Sequence, residues 1–186
     1  QAFEYFLRVI KDYKGKLPLV IAFDGRSASG KTTLAEKLGD YLRIPVIHTD
    51  DFYRPKNEFG KLEVTEFDGN FDVTRFKNEV VDGIYSKKSF KYGVFDCADG
   101  EIAEYINVAV SNCYIIEGAY SLNPNLTDYA SFKVFFDISG ATQKERIILR
   151  NGAEKYNKFN EIWIPCEERN INHYNIKSRC DVIVNV

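Results

Sequence analysis

The eight residues Gly25-Arg26-Ser27-Ala28-Ser29-Gly30-Lys31-Thr32 fit the spacing G-x-x-x-x-G-K-[ST]. Each fixed position has a job in gripping a polyphosphate. The glycines let the backbone wrap closely around phosphate oxygens with its N–H groups pointing inward, and the amides of Ser27, Ala28, Ser29 and Thr33 extend that cradle. A helix starting near Lys31 aims its positive end at the same anion. Lys31 brings an ammonium to the terminal phosphates, and Thr32 offers a hydroxyl to Mg²⁺. The dinucleotide spacing G-x-G-x-x-G does not occur, and Asn157-Lys158-Phe159-Asn160 ends in Asn where a guanine-reading N-K-x-D segment needs Asp.

Moving a phosphoryl group also requires a residue that orients the attacking hydroxyl and carboxylates near the metal. Acids stand where strands are expected to end. Asp50 and Asp51 follow Pro45–His48, Glu117 follows Cys113–Ile116, and Asp137 ends the next apolar run. Asp51 fits a helix cap as well as chemistry, and Glu117 fits a structural hydrogen bond to the phosphate loop as well as a metal role. Arg146 and Arg150 are four apart, so on a helix they share a face and can converge on one anion, although a solvated basic face has the same pattern.

The elements that must carry these residues are legible from periodicity. Residues 3–13 have helical spacing. The run 17–23, LPLVIAF, reads as a strand covered on both faces. The glycine loop breaks it, residues 31–42 form a helix, and 45–48 a second strand. Residues 54–70 read as a loop and 73–85 as a helix. Two strands, 90–95 and 102–110, are joined at Ala98-Asp99-Gly100 as a hairpin. Strands at 113–116 and 132–138, a helix at 142–150, helical pieces over 154–176 and a last strand at 182–186 complete the chain. Alternating strands and helices predict an α/β three-layer sandwich: a mainly parallel sheet with helices on both faces and an added β-hairpin flap (about 89–110).

The chain of 186 residues suits one domain over 1–186. With 45% hydrophobic and 28% charged residues and a net charge of −2, it reads as globular, with no basic patch for nucleic acid and no apolar run long enough to span a membrane. The N-terminal stretch lacks a signal-peptide core. Cys97, Cys113, Cys166 and Cys180 form no CxxC pair and read as reduced, mostly buried thiols of a cytoplasmic protein. Two histidines are too few for a His-based metal site. Association into a homo-oligomer stays open.

The ordered set GRSASGKTTLAEKL, TDDFYRP, GNFDVTRF, YGVFDC, YIIEGAYSL, KVFFDI and ERIILRN resembles the uridine kinase and phosphoribulokinase group of P-loop kinases across nearly the whole chain. The resemblance implies ATP as phosphate donor with Mg²⁺, and a small-molecule acceptor such as uridine or cytidine phosphorylated at its 5′-hydroxyl. Asp50 matches the acid that orients that hydroxyl, and Tyr53 lies beside it. Asp72 matches a ribose-binding acid, though it could also cap the helix near Val73. Phe95, with Tyr92 nearby, matches the aromatic position against the base, although both could simply pack the flap. Glu117 matches the acid completing the Mg²⁺ shell, with Thr32 and Asp50. The resemblance also implies a helical lid (about 141–165); Arg146 and Arg150 match lid arginines that reach the triphosphate, and Arg146 also the acceptor. The sequence departs from the group beyond Phe95: Ala98-Asp99-Gly100-Glu101-Ile102 stands where uridine and cytidine kinases carry a His and an Arg, and Cys97 replaces an expected aromatic. Acceptors such as nicotinamide riboside, pantothenate or a sugar phosphate therefore stay open, as does a nucleotide-binding switch with no acceptor.

Overall fold

The computed structural model describes residues 1–55, 64–97 and 99–186. In chain order its elements are α1 (Ala2–Asp12), β1 (Leu19–Gly25), α2 (Lys31–Leu42), β2 (Val46–His48), a 3₁₀ turn (Thr49–Phe52), α3 (Val73–Phe76), α4 (Asp82–Tyr85), β3 (Phe90–Asp96), β4 (Glu101–Val108), β5 (Cys113–Glu117), β6 (Phe132–Asp137), α5 (Gly140–Asn151), α6 (Ala153–Lys158), α7 (Ile164–His173) and β7 (Val182–Asn185). The five strands β2-β5-β1-β6-β7 form one parallel sheet in that order, and β3 and β4 pair antiparallel as a separate hairpin. This is the mainly parallel α/β architecture with an added hairpin expected from the alternation of elements.

The sheet is covered on both faces because its central strands are apolar up to their C-terminal ends, where Asp24, Gly25 and Glu117 stand. All seven residues of β1 and all five of β5 are buried. Successive strand side chains point to opposite faces, and the two cores divide accordingly. Leu19, Ile21 and Phe23 of β1 join Cys113 and Ile115 of β5 under α1 and α2, where Phe6, Ala35 and Leu38 meet them. Val20 and Ala22 join Tyr114 and Ile116 on the other face with Phe52, Phe71, Phe76, Val80 and Ile84. Among the described residues no helix is long and apolar enough to cross a membrane.

The observed bounds refine the expected ones. β1 starts at Leu19, beyond Pro18, which has no N–H to give the ladder. It runs on to Gly25 because Asp24 and Gly25 pair with Phe135 and Phe136. Glu117 is the last residue of β5, paired with Phe23 and His48. The expected helix 73–85 is α3 and α4 with a π-helical stretch, Lys77–Val81, between them, and the expected pieces of 154–176 are α6, a second π stretch (Phe159–Trp163) and α7. β4 ends at Val108, leaving Val110 exposed. The hairpin turn closes with the Gly100 amide donating to the Asp96 carbonyl at 2.7 Å; its Ala98, like residues 56–63 of the expected loop 54–70, lies outside the described residues. The cysteines are all free: Cys113 and Cys166 are buried, Cys180 is half-buried and Cys97 is exposed.

Candidate functional site

The glycine loop leaves the end of β1 under close constraint. A Cβ on Gly25, whose φ is +138°, would stand 2.3 Å from the Phe136 carbonyl oxygen, so only glycine lets β1 and β6 stay paired there. Ala28 takes a left-handed conformation, and Gly30, also left-handed, precedes α2. No side chain caps that helix, so its first amides are left for an external acceptor. Ser29 Oγ is buried with no hydrogen-bond partner among the described residues. Lys31 is 7% exposed, and its ammonium donates to the Arg26 carbonyl at 3.3 Å. An uncapped helix start, an unpartnered hydroxyl and a buried ammonium holding only a carbonyl form a donor-rich concavity suited to an anion.

The carboxylates gather opposite. Thr32 Oγ1 donates to Glu117 Oε2 at 2.9 Å, and Glu117 Oε1 lies 2.5 Å from His48 Nδ1. That bond with Glu117 raises the His48 pKa above its ordinary 6.5, against the opposing effect of burial. Asp50 is exposed on the 3₁₀ turn after β2, and Tyr53 Oη donates to its Oδ1 at 2.7 Å. Burial foremost, then Asp50, pushes the Tyr53 phenol well above its ordinary range, so it remains a donor. Asp51 faces the other way, toward Tyr92, and burial raises its carboxyl. Among the described residues no three His, Cys, Asp or Glu side chains converge as a metal cage. Mg²⁺ typically keeps several waters and takes one or two carboxylates plus substrate phosphates, and Thr32, Glu117 and Asp50 around one cleft fit that requirement.

The cleft encloses about 650 Å³. Twelve of the residues singled out from the sequence line it: Ser27, Ala28, Gly30, Lys31, Thr32 and Thr33 from the loop side, Asp50, Tyr53, Phe95 and Glu117 opposite, and Arg146 and Arg150 from α5. Arg146 Nη1 donates to the Ala28 carbonyl at 3.3 Å. Gly25 and Ser29 shape the loop from beneath. Asp72 and Tyr92 are not brought to the cleft. Asp72 accepts from the Arg75 amide at 2.9 Å, which is the capping geometry. Tyr92 is 2% exposed and packs on Phe52 in the core. Asp137 is likewise engaged elsewhere, in ion pairs with Arg26 and Lys177.

Four residues escaped the sequence reading. Trp163 lines the cleft with its ring nearly parallel to Tyr53, at 12° and 6.3 Å between centroids, and Phe95 meets Tyr53 edge-on. Asn70 also lines it, and its buried Oδ1 has no partner among the described residues. Gln143 Nε2 on α5 donates to the Ser27 carbonyl at 3.2 Å. Glu167 of α7 is 6% exposed, and its Oε2 accepts from the Ser27 amide at 3.0 Å while its Oε1 takes the Ser27 hydroxyl. Burial raises its pKa, opposed by Lys31 and by the Ser27 bonds. Trp163 carried one signal, as the chain's one tryptophan; the others depend on how distant elements meet.

No family model matches the chain. It is similar to uridine-cytidine kinase B of Dictyostelium discoideum, at 26% identity over 75% of this chain and 61% of that protein. Uridine kinase-like protein 3 of Arabidopsis thaliana is 29% identical over 74% of this chain and 32% of its own length, and uridine kinase of Limosilactobacillus reuteri 26% identical over 80% and 72%. The chain thus spans less than two thirds of the first two relatives. Among solved structures, that described as a "Possible Uridine Kinase" from Bacillus stearothermophilus superposes with a TM-score of 0.73 at 21% identity, over 98% of this chain and 96% of the other. The structure from Saccharomyces cerevisiae described as "a putative P-loop containing kinase with a circular permutation" gives 0.63 at 12% identity, over 100% and 97%. These structures share the fold.

Proposed function

We propose that this chain, a uridine kinase-like P-loop kinase by fold and by kinship, transfers the γ-phosphoryl group of Mg·ATP to a hydroxyl of a small metabolite, with the 5′-hydroxyl of uridine or cytidine as the first acceptor to test. The observation that carries the reading is a single cleft with the buried Lys31 ammonium and the uncapped start of α2 on one wall and the Asp50–Tyr53 pair on the other.

In this reading the amides of the glycine loop, Lys31 and the Arg146 guanidinium receive the phosphates, and their preset donors offset the charge that spreads over the transferring group. Thr32 and Glu117, with Asp50 facing them, would hold Mg²⁺, which would supply further neutralisation of phosphate charge. Asp50 accepts the hydrogen bond of the attacking hydroxyl and aims it in line, and Tyr53 holds the carboxylate in that orientation. Tyr53, Phe95 and Trp163 offer flat faces to an aromatic portion of the acceptor. Arg146 and Arg150 on α5 close over the phosphates and exclude water. The chain acts as one domain, with β3–β4 as the flap.

The relatives named uridine kinase support a nucleoside acceptor. The stretch Asp99-Gly100-Glu101-Ile102 favours keeping a second reading, in which the acceptor is another small alcohol, because it offers no His or Arg to a pyrimidine edge. The deciding experiment incubates purified protein with Mg·ATP and, separately, uridine, cytidine, nicotinamide riboside, pantothenate and pentose phosphates, following ADP release and the phosphorylated product by ³¹P NMR. Turnover with uridine or cytidine supports the first reading and turnover only with another alcohol supports the second. ATP binding without turnover on any acceptor would leave a nucleotide-dependent switch.

A further inference from the structure

Glu167 sits where a carboxylate is least expected. A glycine loop that wraps phosphate uses backbone N–H groups as donors, and here the Ser27 N–H is already taken by an anion of the chain itself. Glu167 Oε2 accepts it at 3.0 Å, and Oε1 takes the Ser27 hydroxyl. The side chain is 6% exposed yet lines the same cleft as Lys31 and Asp50. Its neighbour Glu168 grips the adjacent loop residue, Arg26, through both carboxylate oxygens. Two consecutive acids at the start of α7 therefore hold two consecutive residues of the loop. The next two residues of α7 hold the segment that precedes α3: Arg169 Nε donates to the Glu66 carbonyl at 3.0 Å and Asn170 Nδ2 to the Phe67 carbonyl at 2.7 Å.

We infer that Glu167 is an internal anion on the phosphate loop, which an incoming polyphosphate must displace, so that it sets the loop's selectivity for a metal-bound triphosphate over weaker free anions. The inference rests on reading the cleft as the phosphate site. The reason is electrostatic. A second anion arriving at Ser27 and Lys31 meets a buried carboxylate already paired there, and like charges in contact within a desolvated site are costly. A single phosphate or pyrophosphate lacks the reach to engage the whole loop, Lys31 and Arg146 together, and does not repay that cost. A triphosphate with its metal does. Once released from Ser27, the start of α7 is freed beside Trp163, the ring that faces Tyr53. Donor binding is thereby passed to the acceptor wall.

Two measurements test this. The first compares binding of Mg·ATP, Mg·pyrophosphate and inorganic phosphate by calorimetry to the full chain and to Glu167→Gln, whose amide keeps an oxygen for the Ser27 N–H but loses the charge. The variant should bind Mg·ATP about tenfold more tightly or better and should acquire measurable affinity for pyrophosphate, because a like-charge penalty has been removed. Glu168→Gln, one residue away and facing Arg26, should do neither. Unchanged or weaker binding by Glu167→Gln overturns the inference. The second needs no variant: hydrogen exchange of the wild-type chain with and without Mg·ATP. Displacement predicts slower exchange in residues 25–32 and faster exchange in 164–168. Protection of both segments overturns it. A wild-type chain that takes up no Mg·ATP at all fails differently, and removes the phosphate-site reading together with this one.

Discussion

The hydroxyl of Thr32, the first threonine of α2, donates to the carboxylate of Glu117, the last residue of β5, at 2.9 Å. The bond ties the phosphate loop's helix to the neighbouring strand at the one place where Mg²⁺ is proposed to bind. It also leaves Glu117 with its other oxygen on His48. Replacing Glu117 with Gln keeps an acceptor for Thr32 and removes the charge. The Mg²⁺ concentration for half-maximal ATP turnover should rise about 10- to 100-fold, measured by titrating Mg²⁺ at fixed ATP. An unchanged Mg²⁺ requirement would leave Glu117 a structural bond to the loop and nothing more.

Asp50 and Tyr53 should separate into a base-like and a supporting role. Asp50→Asn should lower kcat by about 10²- to 10⁴-fold, the usual contribution of a positioned acid or base, while Mg·ATP affinity stays near wild type. Tyr53→Phe removes a hydrogen bond to a charged group and should cost roughly tenfold. Steady-state kinetics with the acceptor found in the panel, alongside nucleotide binding by calorimetry, checks both. Equal losses in the two variants would contradict the division of labour.

Much of this site was legible because its signals are local. The bounds of α2 coincide with the expected 31–42, since left-handed Gly30 and Arg43 bracket it and left-handed geometry favours few residues. β1 and β5 were legible because strands buried on both faces are written as unbroken apolar runs. The capping of α3 by Asp72 was legible for the same reason, as a residue type three positions from the amide it serves. What stayed hidden is set by packing between distant segments. Nothing near Glu167 in the chain announces that it meets Ser27, 140 residues away. Tyr92 and Phe95, three apart in β3, point to opposite faces by strand alternation, but which face meets the core and which the cleft is set by packing: Tyr92 lies against Phe52 and Phe95 lines the cleft.

Asp24 supplies a pH signature of the fold itself. It is 2% exposed, accepts from the Leu122 amide at 2.8 Å and the Gly25 amide, and burial lifts its carboxyl to about 6 from 3.8. A raised folded-state value means that the native chain holds a proton the unfolded chain has released. The associated stability is fully present below about pH 3.8 and is lost as pH climbs through about 6. Two units correspond to about 3 kcal/mol. Urea unfolding between pH 4 and 7 should show that decline in the wild type and a flatter profile in Asp24→Asn. Below about pH 4 the variant should be the less stable of the two, since one of the two amides then faces an NH₂ group. Identical pH profiles would contradict the assignment.

Gly118 joins the two walls of the cleft through one crowded contact. It follows Glu117 with a φ of +131°, and its amide donates to the Phe23 carbonyl at 3.0 Å. A Cβ there would stand 1.9 Å from Thr49 Oγ1, the residue just before Asp50, whose hydroxyl donates to the Ala119 carbonyl at 2.9 Å. Gly118→Ala therefore carries backbone strain and a steric clash, together about 3 kcal/mol. Because relief of the clash pushes the Thr49–Phe52 turn, kcat should fall with Asp50 displaced while the phosphate loop still binds Mg·ATP. Adding Thr49→Ala removes the clashing oxygen but not the strain at Gly118. The double variant should then be more stable than the sum of the two single losses implies, a coupling expected only of residues in contact. Strict additivity in denaturant unfolding, or full activity in Gly118→Ala, would show that the position of Asp50 does not depend on this contact.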